Sequence, residues 1–363
     1  MPKLRVFPIG TSAADIEASV AKSLEQSKYA ERRRLTLEGV RAKRLAELKA
    51  RQESITRATA LYAELDSGDH PEVRIRSSFI RLDKRRAPRD SSQPYASTRE
   101  RDLKTRPPLT KLIHRPSNAL AVLMTAFYVA HLENEPGKKV VNNRRNNFAD
   151  GWSDLSGLLD PAATSKENNL RATRALGKLA DCNLVAIGKP GTRNRFENFQ
   201  LKRENGRGDK NYKVPGLSLA GKEALVLPAQ FFYYGWHLVL TQEELATFLV
   251  IAMDSQRHPW RRSTQVEDLG IGLSRTVRWG DYGLAGEAYG SIHELQEFGL
   301  IDVIDPMPGR RSGKIKKPKK ADMRAYRLIW PPEDWSTTAD IPGPAVDVVI
   351  KCLEESPAPP RAV

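Results

Sequence analysis

Hydrophobic residues recur at helical spacing from the start of the chain. Ser12 is a candidate N-cap, and Ile16, Val20 and Leu24 then follow at every fourth position. An apolar side chain every three to four residues is typical of an amphipathic helix. A looser apolar stripe continues the pattern, and it includes Leu45, Leu48, Ile55, Leu61, Tyr62 and Leu65. The pattern predicts a long helix over residues 12–66.

The same helix carries an excess of positive charge. Between Lys28 and Arg57 the sequence has ten basic and four acidic residues. A basic helix can lie along a phosphate backbone or take part in a dimerising coil. It can also be a solvated helix stabilised by pairs four residues apart, such as Glu47 and Arg51. For any single residue we favour the solvated interpretation.

Three segments lack strong periodicity. Residues 67–116 are polar and interrupted by proline, and we expect a basic linker whose arginines can touch phosphate, although "EVRIRSSFIRLD" is compatible with a strand or two. Residues 205–227 are rich in glycine and predict a connector between domains. Residues 333–363 predict a flexible tail.

Residues 117–204 predict the first compact unit. An apolar helix begins this unit and a short helix follows. A longer helix then starts with Thr164 and Glu167 at capping-box spacing. The unit ends with a strand, the basic turn "GKPGTRNRF" and a second strand.

Residues 228–332 predict a second unit with the same order of elements. Its first helix also has a capping-box pair, Thr241 and Glu244. Before that helix lies the most aromatic stretch of the chain, "LPAQFFYYGWHLVL", which either packs in the core or stacks on bases. The unit ends with two apolar strands that flank a long basic loop.

Leucines at matching intervals suggest an internal repeat. In the first unit, Leu155, Leu179 and Leu184 are separated by 24 and 5 residues. In the second unit, Leu269, Leu295 and Leu300 are separated by 26 and 5 residues. We expect the two units to share one fold.

This order of elements resembles the winged-helix family of DNA-binding domains. In that family the second and third helices form a helix-turn-helix and the hairpin is the wing. The tandem arrangement is similar to that of plasmid replication initiators, in which one domain reads the major groove and the other contributes to binding or dimerisation. The resemblance implies an α+β, mostly α protein with two winged helix-turn-helix domains after a long basic helix.

Cations in the first unit are candidate DNA contacts. We expect Leu170, Thr173, Leu176 and Ala180 to face inward on the third helix, so that its basic residues face outward. Arginine can read guanine, and both basic residue types neutralise phosphate. The candidate DNA-binding residues on this helix and the following wing are Lys166, Arg171, Arg174, Lys178, Lys189, Arg193 and Arg195. The alternative is an ordinary solvated face.

The second unit departs from this pattern. Its third helix is expected to bury Ala288, Ile292, Leu295 and Phe298 and to expose Glu287, Ser291 and Glu294, whose acidic members would repel phosphate. We therefore expect this unit to anchor DNA electrostatically. The candidate residues are Arg275, Arg278, Arg310, Arg311, Lys314, Lys316, Lys317, Lys319 and Lys320, of which the last seven lie in the long basic loop. A loop that only promotes solubility is the alternative.

The overall charge agrees with a polyanionic partner. The chain of 363 residues has 59 lysines and arginines against 44 acidic residues, a formal net charge of +15. Two cysteines, no signal-peptide pattern and no apolar run long enough for a membrane span predict a cytoplasmic protein without a membrane partner. A homodimer through the N-terminal helix or the second unit is a further possibility.

Catalytic and cofactor motifs do not emerge from the sequence. None of the six histidines has metal-ligand spacing, and no phosphate-cradling loop has the required glycines. The segment "HPWRR" (258–262) has the spacing of the His-x-x-Arg box of tyrosine recombinases, with Tyr282 or Tyr289 as a possible nucleophile. We expect no enzyme, no metal and no cofactor.

The leading hypothesis from the sequence is sequence-specific binding of double-stranded DNA by a replication initiator of a plasmid or mobile element. A winged-helix transcriptional regulator is the alternative within DNA binding. A non-specific nucleic-acid-binding adaptor belongs to another class, and a tyrosine recombinase comes last.

Overall fold

The structure is a computed structural model. It describes residues 13–69, 71–86, 105–113, 117–142, 144–146, 150–160, 163–192, 194–219, 223–258, 270–307 and 325–355, with backbone only for 13–34 and Ser165. The seven basic residues predicted for the long loop of the second unit, and also Arg193, lie outside the described residues.

The predicted N-terminal helix is present as α1, Ala13–Leu65. Its 53 residues correspond to a length of about 80 Å at 1.5 Å per residue. Most charged residues of its last part are exposed, as the solvated interpretation expects, but Leu48, Ile55, Ala58 and Tyr62 along one face are almost inaccessible to solvent. This part of α1 therefore belongs to the core of the protein.

The predicted linker and connector meet in a small sheet. Strand β1, Val73–Arg76, pairs antiparallel with β4, Ala224–Leu227, so that Val73 lies opposite Leu227. Helices α2, Ser77–Ile80, and α3, Pro108–Leu112, follow β1 and bury apolar side chains. Apolar residues of the predicted linker and of the predicted connector thus pack against parts of the chain that are distant in sequence.

The first unit has the predicted order of elements. Helix α4 is followed by the short α5, the longer α6 and a hairpin of two short strands, β2 and β3, which pair antiparallel. Their bounds are Ala119–Glu133, Trp152–Leu155, Ser165–Asp181, Val185–Ala186 and Gln200–Leu201.

The second unit begins with three helices, of which the third is the longest. These are α7, Ala229–Tyr233, α8, Trp236–Val239, and α9, Gln242–Arg257. The predicted capping box of Thr241 and Glu244 is present at the start of α9. The aromatic stretch lies in the core, where Phe231 stacks on Phe248 of α9 at 5.1 Å between ring centroids.

The rest of this unit combines three short helices with a three-stranded sheet. The bounds are β5, Ile271–Gly272, α10, Arg275–Tyr282, α11, Gly286–Tyr289, α12, Ile292–Glu297, β6, Asp302–Ile304, and β7, Arg327–Ile329. The strand order is β5–β7–β6, and both pairings are antiparallel.

The predicted flexible tail is, over its described residues, part of the fold. Helix α13, Ala345–Glu355, packs along α1. Val349 and Leu353 are buried there, and Gln52 of α1 donates to Asp347. Polar and proline-rich flanks suggested flexibility, but the apolar face of α13 has a partner at the other end of the chain.

Buried apolar residues from α1, both units and α13 form one continuous core. The protein is an α+β structure in which helices predominate and the described strands are few and short.

Candidate nucleic-acid interface

Helix α6 is held firmly at its start and along one side. The Thr164 side chain accepts from the Glu167 backbone, and Glu167 accepts from the Thr164 backbone at 2.8 Å, which confirms the predicted capping box. The hydrogen bonds that the backbone N–H and then the hydroxyl of Thr164 donate to the Glu167 carboxylate lower the pKa of Glu167. The amphipathic pattern of α6 then decides which residues face the core.

The buried side of α6 is shifted from the predicted one, and of the four residues expected to face inward Leu176 is buried as predicted. Ala172, Ala175, Leu176 and Leu179 are buried, whereas Leu170 is 43% exposed. The predicted inward stripe is therefore wrong at Leu170, and Thr173 and Ala180 are only partly buried. Leu176 and Leu179 are thus buried together with Ala172 and Ala175, and α6 packs against α4.

Leu170 consequently lies near the middle of the outward face of α6. Lys166 and Arg174, four residues before and after it, are exposed as well. This face thus presents an apolar side chain between two cations, at a spacing that keeps all three on one side of the helix.

Arg171, a predicted DNA contact, is directed toward the protein. Its Nη2 lies 3.0 Å from Oδ2 of Asp160, in the segment before α6. Arg51 of α1 lies nearby and donates to the carbonyl of Gly157. Burial and then the charge of Arg171 lower the pKa of Arg51. Arg171 therefore joins α6 to the preceding loop.

An open groove of about 470 Å³ runs beside this ion pair. It is lined by Asp160, Ala163, Glu167, Leu170, Arg171 and Arg174. Lys178, one turn further on, is half-buried beside Cys182.

The β2–β3 hairpin places further cations next to α6. Gly188 and Arg195 close its turn through a backbone hydrogen bond of 2.7 Å, and Nε of Arg195 donates to the Gly188 carbonyl. The Arg195 guanidinium lies over Phe196, whose ring faces Gly177 of α6. Lys189 is exposed at the tip of the turn. The structure thus brings the described wing residues of the first unit to the side of α6.

The last helices of the second unit mostly match their predicted burial. Ala288, Ile292, Leu295 and Phe298 are buried as predicted, and Glu287 is exposed. Glu294 is only half-buried. Ser291 was expected on the outside but is buried, because its hydroxyl donates to the Ala288 carbonyl at 2.6 Å. Helices α11 and α12, whose residues the structure describes in full, expose no cation.

Basic residues of this unit gather instead on α10. Arg275 is exposed on its first turn, and the guanidinium of Arg278 lies 3.9 Å from the ring centroid of Tyr289. Trp279 is approached by two arginines from the predicted linker, Arg86 at 4.2 Å and Arg106 at 5.2 Å from its ring centroid. The sequence pattern did not predict this association, although linker arginines were expected to be able to touch phosphate.

The two tyrosines considered as nucleophiles are both buried. The Tyr282 hydroxyl donates to Asp254, and burial raises the pKa of this tyrosine. Asp254 also lies 3.6 Å from His258. Residues 259–262 of the His-x-x-Arg segment lie outside the described residues. Tyr282 therefore lies in the interior and is engaged with a carboxylate.

Metal-binding and membrane-spanning features are both missing from the described parts of the chain. There, no group of three or more histidine, cysteine, aspartate or glutamate side chains is arranged to hold a metal ion. Nor does any described helix have the length and apolar character needed to cross a membrane.

Comparison of the chain with protein-family models, with curated proteins and with solved structures found no match. Function is therefore inferred from the residues and their geometry.

Proposed function

We propose that the protein binds double-stranded DNA sequence-specifically, with α6 in the major groove and the β2–β3 hairpin on the adjacent backbone. The observation that carries the proposal is the outward face of α6, where Lys166, Leu170 and Arg174 are exposed beside the cationic hairpin. A major groove about 12 Å wide admits a helix.

The residues of α6 and the hairpin divide by chemical role in this proposal. Arg174 is suited to a bidentate contact with a guanine edge, and Leu170 to an apolar contact with a thymine methyl group. Lys166, Lys189 and Arg195 neutralise phosphates and set the position of the helix. Arg171 keeps α6 in place through Asp160 and does not touch a base.

The order of elements supports a tandem winged-helix protein. In the first unit, three helices precede a hairpin. In the second unit, three helices and a strand precede further helices and a hairpin whose strands join β5 in one sheet. Two such units in one chain favour a replication initiator of a plasmid or mobile element over a regulator with a single reading domain.

Selection of bound duplexes from a random pool tests base reading. We expect one enriched motif for the wild type. Arg174→Ala should lose discrimination at one position, by about 1–3 kcal/mol, while the rest of the motif stays the same. Arg171→Ala is the matched control, since it removes the same side chain three positions away. It should lower thermal stability and leave the base preference intact.

An unchanged motif in Arg174→Ala, or no enrichment for the wild type, would contradict base reading by α6. The biological role is tested by placing the selected site in direct repeats on a plasmid without another origin. Replication that depends on the protein supports an initiator, whereas occupancy of a promoter without replication supports a regulator.

A further inference from the structure

The charged patch on α10 is built from parts of the chain that lie far apart in sequence. Residues 81–86 lie beside the helix. The backbone N–H of Leu82 donates to the backbone carbonyl of Asp281, and that of Arg86 donates to the carbonyl of Gly280, both at 2.9 Å. Thr110 of α3 donates to the Tyr282 carbonyl at 3.0 Å. Two parts of the predicted linker, residues 81–86 and α3, are thereby fixed on α10.

Asp281 is the acidic residue of α10, and it is already engaged. Arg85 forms two hydrogen bonds of 2.9 Å with its carboxylate, and Arg81 lies 3.8 Å away. The hydrogen bond from Arg85 is the main reason that the pKa of Asp281 is lowered. Asp281 is therefore paired with these two arginines.

Four other arginines surround the same helix, and we call them, together with Trp279, the α10 arginine cluster. They are Arg86, Arg106, Arg275 and Arg278. Burial and the charge of Arg106 lower the pKa of Arg86 to about 10. Burial lowers the pKa of Arg278, and the charge of Arg275 adds to this effect. Arg86 and Arg106, and likewise Arg275 and Arg278, are thus close enough for their charges to interact.

The form of the cluster fits a run of phosphates better than one small anion. Helix α10 has eight residues, a length of about 12 Å, and its cations are distributed along it and beside it. The Trp279 ring is already in contact with two guanidiniums, so it does not offer the bare aromatic platform on which single-strand binders stack bases.

We propose that the α10 arginine cluster is a second, sequence-independent binding surface for the phosphate backbone of duplex DNA. The surface rests on the proposed function, because it grips the same duplex that α6 reads. It also accounts for how the second unit contacts DNA although its last helices expose Glu287.

The salt dependence of binding tests the surface directly. The double variant Arg86→Gln with Arg106→Gln and the single variant Arg275→Gln are compared with wild type on a random duplex over a range of salt concentrations. Removing one cation that neutralises a phosphate should make the slope of log affinity against log salt shallower by about 0.9. By the same relation we expect a change of about 2 for the double variant and about 1 for Arg275→Gln.

Matched controls separate charge from structure. Lys43→Gln with Lys351→Gln removes two exposed cations from α1 and α13 and should leave the slope unchanged, apart from a small non-specific effect. Arg275 is exposed, so its variant should unfold at the wild-type temperature even if the double variant is destabilised.

Slopes of the cluster variants equal to that of the control would overturn the surface while leaving DNA binding by α6 intact. Inorganic tripolyphosphate binding with unchanged duplex slopes would identify a small-anion site and would also overturn it. A wild-type protein that binds no duplex at low salt would contradict the proposed function itself.

Discussion

Individual side chains show how much of this protein's polar chemistry is used for folding. His237 lies in the core among Phe231 and Phe232, and its Nε2 is 3.1 Å from the Tyr62 hydroxyl. His131 uses Nδ1 toward the Phe127 carbonyl at 2.7 Å, while its Nε2 accepts from the Arg74 backbone. Both imidazole rings form hydrogen bonds inside the protein, and burial favours their neutral form.

Acid should destabilise the protein through these two histidines. Burial lowers the pKa of His237 to about 3 and that of His131 to about 4, whereas both are near 6.5 in the unfolded chain. Below pH 6.5 these two histidines therefore bind protons in the unfolded chain but stay neutral in the folded protein. The free energy of unfolding should fall as the pH is lowered from 6.5 to 4, by on the order of a few kcal/mol.

Urea unfolding at several pH values measures this effect. His237→Phe should show a weaker pH dependence than wild type, because one titrating group is removed. His258→Gln is the control, since His258 is exposed and near Asp254. If His237→Phe and His258→Gln retain the same slope, the buried histidine is not the source.

At the scale of elements, α1 has a structural role that charge counting did not anticipate. Arg44 forms a bidentate ion pair with Glu244 of α9 at 2.6 and 2.8 Å, and its guanidinium lies over Phe298. Arg57 pairs with Asp154 of α5. These residues belong to the basic run of α1, but they join it to both units.

Breaking the Arg44–Glu244 pair should be costly. Arg44→Met leaves a carboxylate buried without its partner, and we expect a loss of about 3–5 kcal/mol in the free energy of unfolding. Lys43→Met is the matched control, because Lys43 is 79% exposed next to the 15% exposed Arg44. Chemical denaturation of both variants gives the comparison. Equal stability of the two would show that α1 is not anchored by this pair.

Helix α6 illustrates what local pattern can and cannot predict. Its bounds and its capping box follow from residues within a few positions of each other, so both could be predicted. Its orientation depends on α4, which packs against the alanine side and leaves Leu170 outside. The local pattern also predicted that Arg171 contacts DNA, whereas in the structure Arg171 forms an ion pair with Asp160.

For the whole molecule, the decisive feature is the common core. Apolar residues of α1 and α13 pack with those of both units, and β1 pairs with β4 across the predicted domain boundary. Within the described residues, the first unit has three helices and two strands and the second has six helices and three strands, so the predicted common order of elements is not observed. Each unit buries part of its apolar surface against parts of the chain that lie outside it.

A shared core predicts cooperative unfolding. We expect calorimetry to show one transition whose calorimetric and van't Hoff enthalpies agree. Leu176→Ala in the first unit and Leu295→Ala in the second should both shift that transition, each by about 2–5 kcal/mol of stability. Two separate transitions, each sensitive to only one of the variants, would mean that the units fold independently.

The sequence alone predicted the long N-terminal helix, the order of elements in the first unit, the two capping boxes and the excess of positive charge, because these can be read from residues close together in the chain or from composition. Only the tertiary structure decided which cations face solvent and which bind carboxylates or aromatic rings. It also decided that the linker, the connector and the tail contribute to the core. Several of those outcomes depend on partners far away in the chain, such as Arg86 and Trp279, whose contact no local pattern encodes.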